Sequence, residues 1–309
     1  MPNYFFTVRK PNDNGNFSSD IGTTTYLSVP EDADDLNFDD KIADPNEWLD
    51  QIINQSKEDI LIYVHGYNNN SLDVVKAHKS IKKGLMDLNF KGQVISFDWP
   101  CGNNALMYLP DRHQAKLTAI ELVKGGIVLL SQRQNNKCEI NVHLLAHSTG
   151  AFVVREAFDD AIHTKAVIDH WMVTQMMFIE GDISSSSLNV PGDCNAIYDH
   201  VIRLTNYFNP YDCVLAMSNL KRVGTENRVG RVGLPPNAPG KYVDVNCGEY
   251  YQSIKNNSTD PFYSHSFYFD SNSNGMFMKD LLGTINGDTD RNYMPTRDNR
   301  NGDLFLNTR

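Results

Sequence analysis

The sequence predicts an α/β fold in which a mostly parallel central sheet has helices on both faces. The first observation is that continuous apolar runs such as Asp59–Val64 alternate with segments of helical period. That alternation is typical of parallel strands joined by right-handed helical crossovers and buried on both faces. The second is length, because a chain of 309 residues can bury about three quarters of its unfolded surface as one large domain.

The N-terminal part of the chain predicts an extension of this sheet. Tyr4–Arg9 and Thr23–Val29 are rich in β-branched and aromatic residues, and a turn-rich segment separates them. This pattern favours an antiparallel pair of strands. Residues 31–50 follow with nine acidic side chains and one lysine, which account for −8 of the net charge of −10. Because this acidic segment has no glycine-bearing ligand loop, we interpret it as a solvated connection and predict no metal site.

The central part of the chain alternates between helices and strands. The elements predicted up to residue 130 are a short helix over Glu47–Asn54, a strand over Asp59–Val64, a helix capped by Ser71, a strand over Gln93–Phe97, and a helix from Pro110 that Gly125 and Gly126 bend or interrupt. Beyond residue 158, the predicted strands are Trp171–Ile179, Val201–Tyr207 and Tyr242–Val245.

Two segments lack a clear period. Lys221–Lys241 is rich in Gly, Pro, Arg and Asn, which predicts a long loop over one face. Residues 286–309 are polar as far as Leu304–Leu306, which predicts an arm that is partly mobile or packed on the core. We therefore expect a single domain over 1–309, made of N-terminal strands with the acidic segment (1–58), a core that carries the site (59–285) and a C-terminal arm (286–309).

Val142–Phe158 predicts a strand, a tight turn and a helix with Ser148 in the turn. This arrangement is the nucleophile elbow, in which a strained backbone holds a serine hydroxyl above the carboxyl edge of a parallel sheet. The pattern has Ala146 where glycine is usual. Because alanine adds only one methyl group, we treat the departure as tolerable. Ser148 is therefore the candidate nucleophile.

A serine nucleophile needs a histidine base, and with this type of elbow the chain order is serine, acid, histidine. His265 is the one histidine beyond the last predicted strand of the core, in a polar loop that leads into an aromatic stretch. The other histidines have structural interpretations: His143 lies in a strand, His147 flanks the nucleophile but is expected to point elsewhere, and His200 precedes a strand. We expect His265 to be the base.

The orienting acid has two candidates. Asp212 follows the strand that begins at Val201 and a turn-forming Asn-Pro pair, and strand order favours it. Asp182 follows the previous strand and can reach the same histidine. Either residue can also be a turn or capping aspartate. Two backbone amides are predicted to form the oxyanion hole, one on Thr149 after the nucleophile and one on Tyr67 after the strand that ends at Val64.

These motifs resemble those of a known family. The segments that carry the resemblance are Val64–Asn68, Phe97–Pro100, Leu145–Gly150, Asn209–Asp212 and Ser264–Ser266. Together they resemble an uncharacterised bacterial family of α/β-hydrolase-fold serine hydrolases, a domain of unknown function, over approximately residues 60–269. The resemblance implies the α/β-hydrolase fold and a triad of Ser148, Asp212 and His265, but it implies no particular substrate.

We therefore expect a serine esterase, a carboxylic-ester hydrolase that cleaves a small or medium acyl ester, thioester or lactone through an acyl-enzyme. An acyltransferase with the same triad and a catalytically silent scaffold that binds a partner are the alternatives. Two groups of residues are considered for substrate binding. Leu106, Met107 and Tyr108 can line a pocket for an acyl group, although ordinary core packing is favoured for them. Arg222, Arg228 and Arg231 can bind an anion, although a solvated loop face is favoured for them.

Composition sets the remaining expectations. The acidic balance argues against a nucleic-acid partner, because phosphate contacts need a basic face. No apolar run is long enough to span a bilayer, and the N-terminus has no signal-peptide pattern, which favours a cytoplasmic location. Five cysteines without metal-ligand spacing are expected to be reduced thiols. No cofactor is predicted, the expected partner is a small acyl substrate, and the sequence does not indicate an oligomeric state.

Overall fold

The computed structural model describes residues 1–55, 59–101, 108–131, 140–163, 171–220, 226–255, 258, 260–287 and 289–309. The strands are β1 Asn3–Pro11, β2 Phe17–Val29, β3 Lys41–Ile42, β4 Ile60–Val64, β5 Gln93–Asp98, β6 Val142–His147, β7 Val173–Ile179, β8 Val201–Phe208, β9 Tyr242–Asn246, β10 Arg297–Arg300 and β11 Asp303–Leu306. The helices are α1 Pro45–Gln55, α2 Ser71–Asp87, α3 Tyr108–Glu121, α4 Leu129–Ser131, α5 Gly150–His163, α6 Asn195–His200, α7 Cys213–Leu220, α8 Val229–Val232, α9 Gly248–Ile254, α10 Tyr263–Ser266 and α11 Gly275–Asn286.

The strands form one sheet of 11 strands in the order β10-β11-β9-β8-β7-β6-β4-β5-β1-β2-β3. All neighbours from β11 to β1 pair in parallel, and only the outer strands at each end pair antiparallel. Parallel strands need crossovers, which the helices provide. The structure thus confirms the predicted α/β fold with a mostly parallel sheet.

The two faces of the sheet carry separate apolar cores. On β4, Ile60, Ile62 and Val64 face one side, where α1, α3 and α5 pack, while Leu61 and Tyr63 face the other, where α2 and α11 pack. Successive residues of a strand point to opposite faces, so the unbroken apolar run of β4 supplies both cores. Because each strand is buried on both faces, the position of its end is fixed. The candidate site lies along those ends.

The N-terminal strands extend the sheet at one edge, as predicted. β1 and β2 pair antiparallel, and β1 also pairs in parallel with β5. At the opposite edge, residues 297–306 form the antiparallel pair β10 and β11, and Phe305 of β11 pairs with Asn246 of β9. This part of the tail therefore packs on the core as edge strands, which is one of the two alternatives expected for the arm.

Several predicted boundaries shift by a few residues. The cap of α2 is Asn70 rather than Ser71, because the Asn70 side chain accepts from the Asp73 amide and Asp73 bonds back to the Asn70 amide. Helix α3 begins before Pro110 and continues as a π-helix over Leu122–Val128. In that segment a Cβ on Gly126 would lie 2.5 Å from the Phe6 ring, so glycine lets the helix approach β1.

The predicted loop over Lys221–Lys241 is described from residue 226 onward, and it contains α8. The four described cysteines, Cys101, Cys194, Cys213 and Cys247, are free thiols, and Cys138 lies outside the described residues. Within the part of the chain that the structure describes, no helix has the length and apolar character needed to cross a bilayer.

Candidate active site

Ser148 lies in the sharp turn between β6 and α5. Its backbone is left-handed, with a φ of 54°, which is strained for a residue with a side chain. The turn packs closely on the loop after β4: a Cβ on Gly66 would lie 2.8 Å from Ser148 Cβ, and one on Gly150 would lie 2.4 Å from the carbonyl oxygen of Val64. Both positions therefore require glycine, and the packing holds the serine at the carboxyl edge of the sheet.

Ala146, the departure from the usual elbow pattern, lies on β6 and is fully buried. It pairs with Val64 on β4 and with Phe178 on β7. Its methyl group belongs to the apolar core beneath the elbow. The strand therefore accommodates alanine at this position without altering the turn that follows.

His265 lies in α10 and lines the same cavity as Ser148. Its Nδ1 is 2.6 Å from Asp212 Oδ2, a distance that assigns the proton to Nδ1 as donor and leaves Nε2 as the acceptor. Among the bonds of the described residues, none joins Ser148 Oγ to His265 Nε2. Hydrogen bonds between a nucleophile and its base are often long before substrate binds.

Asp212 reaches His265 from the turn after β8. Its other oxygen, Oδ1, accepts from the Leu215 amide at 2.9 Å, which orients the carboxylate. Burial acts to raise the pKa of Asp212, but the His265 ring and the hydrogen bonds that the carboxylate accepts outweigh it and lower that pKa. Asp212 is therefore a buried carboxylate that stays ionised beside a histidine.

Asp182, the alternative acid, lines the same cavity but its carboxylate pairs with another side chain. Arg228 Nε lies 3.2 Å from Asp182 Oδ1, and both side chains are buried. The favoured interpretation of Arg228 as part of a solvated loop is therefore wrong, because it is only 4% exposed. Arg231 is partly buried in α8, Arg222, Leu106 and Met107 lie outside the described residues, and of Tyr108 only the backbone is described.

The structure adds a carboxyl group that the sequence analysis missed. Glu180 Oε2 lies 3.0 Å from His265 Nδ1, so the ring nitrogen faces two carboxyl groups, those of Glu180 and Asp212. Burial, followed by the negative charge of Asp212, raises the pKa of Glu180 well above its usual range. The available signal was its position: Glu180 directly follows β7, the strand next to the elbow strand, and ends an apolar run.

The two predicted oxyanion donors, Thr149 and Tyr67, also line the cavity. Thr149 lies between the nucleophile and the first turn of α5, where backbone amides point out of the helix. Tyr67 lies in the loop after β4, and the Asn69 side chain donates to the carbonyl oxygens of Gly66 and Tyr67 at 2.9 and 3.2 Å. The structure thus brings both residues to the serine.

A buried polar network lies behind the Tyr67 loop. Arg9 of β1 donates through Nε to Asp98 Oδ1 at 2.8 Å and through Nη2 to the Asn69 carbonyl at 2.9 Å. Asp98 also lies 3.2 Å from His65 Nε2, and the His65 ring stacks on Trp99. Although burial opposes it, the Arg9 charge lowers the pKa of Asp98 to about 2. The first strand is therefore bonded to the loop that carries a predicted oxyanion donor.

His147 does not point away from the site, contrary to the sequence expectation. Its Nε2 donates to the carbonyl oxygen of His265 at 2.9 Å, and the two rings lie 4.7 Å apart. Burial, followed by the neighbouring His265, lowers the pKa of His147 to about 3, so the ring is neutral near pH 7. His147 is thus a neutral support for the backbone of His265.

The cavity above Ser148 has a volume of about 310 Å³. Its apolar lining comes from α7, through Val214, Leu215 and Met217, and from Phe262 before α10. A larger cavity of about 590 Å³ lies beside β9 and β11, lined by residues such as Phe208 and Asp244, and it is remote from the serine cavity's lining. Ser148 and His265 therefore line the smaller, more apolar cavity.

Among the residues that the structure describes, Glu180, Asp212 and His265 form the group with enough potential metal ligands, with ligand atoms within 4.8 Å of one another. The ring nitrogen is 2.6 and 3.0 Å from the two carboxyl oxygens, which are hydrogen-bond distances. Two ligands about 2.0 Å from a zinc ion at tetrahedral angles lie more than 3 Å apart. This arrangement fits shared protons better than an ion.

Comparison with known proteins gives distant structural neighbours. A cutinase-like protein from Cryptococcus sp. has a TM-score of 0.34 at 11% identity, covering 74% of this chain and 95% of its own. The RedJ thioesterase of the prodiginine pathway in Streptomyces coelicolor has 0.38 at 12%, covering 78% and 87%. A fungal esterase from Rhizomucor miehei has 0.41 at 10%, covering 92% and 85%. At these identities and scores the neighbours bear on neither substrate nor mechanism.

No curated protein sequence matches the chain. A family model described as an alpha/beta hydrolase of unknown function (DUF900) matches residues 41–271. The match includes Ser148, Asp212, His265 and Glu180, and it leaves out β1, β2 and the strands of the C-terminal edge. This extent, together with the mostly parallel sheet, confirms the fold expected from the sequence motifs: the chain belongs to this family of α/β hydrolases of unknown function.

Proposed function

We propose that the protein is a serine hydrolase that cleaves a small or medium acyl ester, thioester or lactone through an acyl-enzyme. The observation that carries the proposal is the arrangement around His265. Its Nδ1 bonds Asp212 at 2.6 Å, and its ring shares one cavity with Ser148 on the elbow. The nucleophile, the acid and the base follow one another along the chain in the expected order, at the expected edge of the sheet.

In the first step, His265 Nε2 takes the proton of Ser148 Oγ while that oxygen bonds the acyl carbon. The Thr149 and Tyr67 amides stabilise the negative oxygen of the tetrahedral intermediate. His265 then gives its proton to the leaving alcohol or thiol as the bond to the acyl carbon breaks. Asp212 stabilises the imidazolium between these transfers. A water molecule repeats the sequence on the acyl-enzyme and releases the acid.

The cavity supports an acyl substrate of limited size. Its volume of about 310 Å³ is at the lower end of the roughly 300–1,000 Å³ range of ligand pockets. Val214, Leu215 and Met217 offer the acyl chain an apolar surface along α7. Phe262 and Met217 are 58% and 44% exposed, so this surface continues to the mouth of the cavity. A chain of medium length can therefore extend outward along these side chains.

The test is covalent labelling with a fluorophosphonate, which reacts with activated serines. We expect the wild-type protein to be labelled at Ser148 and Ser148→Ala to be unlabelled, because the hydroxyl that attacks phosphorus is gone. The same substitution should lower ester hydrolysis by several orders of magnitude, toward the residual rate that oxyanion donors alone provide.

Ser187, a buried serine on the loop after β7 whose hydroxyl donates to the Ser184 carbonyl, provides the matched control. Ser187→Ala should label like wild type. Equal labelling of wild type and Ser148→Ala would sink the proposal and favour a silent scaffold.

A panel of acyl esters of graded chain length is the second test. The wild-type protein should show maximal kcat/KM at short or medium chains.

A further inference from the structure

The Nδ1 atom of His265 carries one proton but lies within hydrogen-bond distance of two carboxyl groups. Asp212 Oδ2 and Glu180 Oε2 lie 2.6 and 3.0 Å from the same ring nitrogen, and a neutral imidazole with its proton there has one hydrogen to donate. The shorter bond goes to Asp212. The second carboxyl group therefore stands in contact with the ring and its partner without being the ring's main acceptor.

The two carboxyl groups share a proton. Asp212 and Glu180 are 1% and 0% exposed, and two buried carboxylates in contact cannot both ionise. Burial, followed by the charge of Asp212 and a hydrogen bond with it, raises the pKa of Glu180. Burial opposes the shift at Asp212, but the His265 ring and the bond with Glu180 lower its pKa. Glu180 is thus the donor and Asp212 the ionised acceptor. The other titratable groups that face Glu180 are His265, Tyr251, Tyr268 and Cys247.

The backbone holds Glu180 in a strained conformation. Its φ is 47°, in the left-handed region that costs about 1–3 kcal/mol for a residue with a side chain. Helix α8 packs directly on this backbone, since a Cβ on Gly230 would lie 2.1 Å from the Glu180 carbonyl carbon. The Glu180 amide donates to the Tyr207 carbonyl at 2.9 Å. Such strain persists only where the surroundings fix it, and here they fix the direction of the carboxyl group.

We propose that Glu180 is a positioning residue for His265, which holds Asp212 in place by donating its proton to it and replaces Asp212 as the ring's carboxylate partner when Asp212 is neutral. This inference rests on the proposed function. In Asp212→Asn the Glu180 carboxyl group no longer faces a negative neighbour. Burial, the largest cause of its raised pKa, persists, so it loses its proton only as the pH rises. Its Oε2 then accepts the Nδ1 proton of His265 across the existing 3.0 Å.

The experiment is a double-mutant cycle of Glu180→Gln and Asp212→Asn, read as the rate constant of fluorophosphonate labelling at Ser148. Glu180→Gln alone should slow labelling less than about 5-fold, because its amide still donates to Asp212. Asp212→Asn alone should slow it about 100-fold, well short of the roughly 10⁴-fold loss when a triad histidine keeps no carboxylate. The double variant should reach that full loss.

The pH dependence separates positioning from a purely structural role. In Asp212→Asn, the labelling rate should gain a rising limb with pH as Glu180 ionises, because only its carboxylate can replace Asp212. The double variant has no such group and should lack the limb. A residue that merely stabilises the fold would slow labelling by the same factor in both backgrounds and leave the pH profile unchanged.

Asp244 of β9 gives the matched control, a partly buried carboxyl group whose pKa burial raises to about 6 and which bonds Asn206 rather than His265. Asp244→Asn should change labelling by the same factor with and without Asp212. Should Glu180→Gln fail to fold, Glu180→Asp serves instead, since its shorter side chain falls short of the ring.

Equal labelling rates for Asp212→Asn and the double variant would overturn the role of Glu180 and leave the proposed function intact. Absence of labelling in the wild type, or equal labelling of wild type and Ser148→Ala, would overturn both. Coupling of about 10-fold or more between positions 180 and 212, joined to the pH limb, supports the inference.

Discussion

Each end of the sheet contains a buried ion pair between an arginine and an aspartate, but the two pairs are connected to different parts of the molecule. At each end an added strand brings in an arginine that forms a buried ion pair: Arg9 of β1 with Asp98, and Arg297 of β10 with Asp280. Both pairs are almost fully shielded from water, with side-chain exposures of 3% and 0% at one end and 0% and 0% at the other. What differs is where the remaining hydrogen bonds lead.

The N-terminal pair is connected to the site. Arg9 also bonds the Asn69 carbonyl, and Asp98 also contacts Thr7 and His65, so the network ends in the Tyr67 loop. At the C-terminal end, Asp280 accepts from Tyr207 and Thr296, and Arg297 donates to Thr284, which fastens the edge strands to β8 and α11. A strand outside the family match can therefore be bonded either to the loop that carries a predicted oxyanion donor or to the fold alone.

The largest expected effect is the stability lost when either arginine is removed. Arg9→Met and Arg297→Met should each lower the free energy of unfolding by about 3–5 kcal/mol, because each leaves a buried carboxylate without its cation. Denaturant titration measures the loss. Arg300→Met is the control, since Arg300 lies on the same strand as Arg297 but its ion pairs are about half exposed. Its removal should leave the free energy of unfolding nearly unchanged, because exposed ion pairs contribute little to stability.

A smaller effect is the acid sensitivity of the N-terminal pair. The pKa of Asp98 is lowered to about 2, below its value in an unfolded chain, so its contribution is present above about pH 4 and lost as pH falls toward 2. Relative to Asp98→Asn, the wild-type free energy of unfolding should therefore fall by about 2 kcal/mol between pH 4 and pH 2. Parallel pH curves for the two proteins would contradict this assignment.

The smallest effect discriminates best between the two ends. Arg9→Lys keeps the charge, but one ammonium group cannot replace the planar fork that contacts Asp98 and Asn69 together. We expect kcat/KM to fall about 10-fold, a fraction of the loss when a whole oxyanion donor is removed. Arg297→Lys should leave kcat/KM within about 2-fold, since its network stops short of the site. Matching losses in the two variants would erase the distinction between the ends.

The sequence predicted those features that local patterns encode. The elbow around Ser148 combines a strand, a turn and a helix within a few residues, and chain order then selected His265 and Asp212, which the structure places 2.6 Å apart. The paired N-terminal strands were visible because their residues are β-branched and aromatic. The catalytic roles of Ser148, Asp212 and His265 remain predictions that the variants described above test, whereas the fold and family are established.

The features that the sequence analysis missed depend on contacts between distant residues. Glu180 was not singled out from the sequence, because its contact with His265 joins residues 85 positions apart. Arg228 looked solvated because its partner Asp182 belongs to another loop. β10 is short and polar and β11 is equally short; β10 pairs with β11, which in turn pairs with the edge of β9. Such residues have no periodic signal of their own.

The pairing of β1 with β5 also sets an order of events during synthesis. Arg9 and Asp98 are separated by 89 positions, so at about 5–20 residues per second the aspartate is synthesised roughly 4–18 s after the arginine. The hairpin of β1 and β2 can form within that interval, but one of its edges has no partner until β5 has been made. Each new chain therefore passes through a period in which an unpaired strand edge and a guanidinium group are accessible to other molecules. This period ends once β5 and Asp98 are in place and the loop beside the serine can assemble.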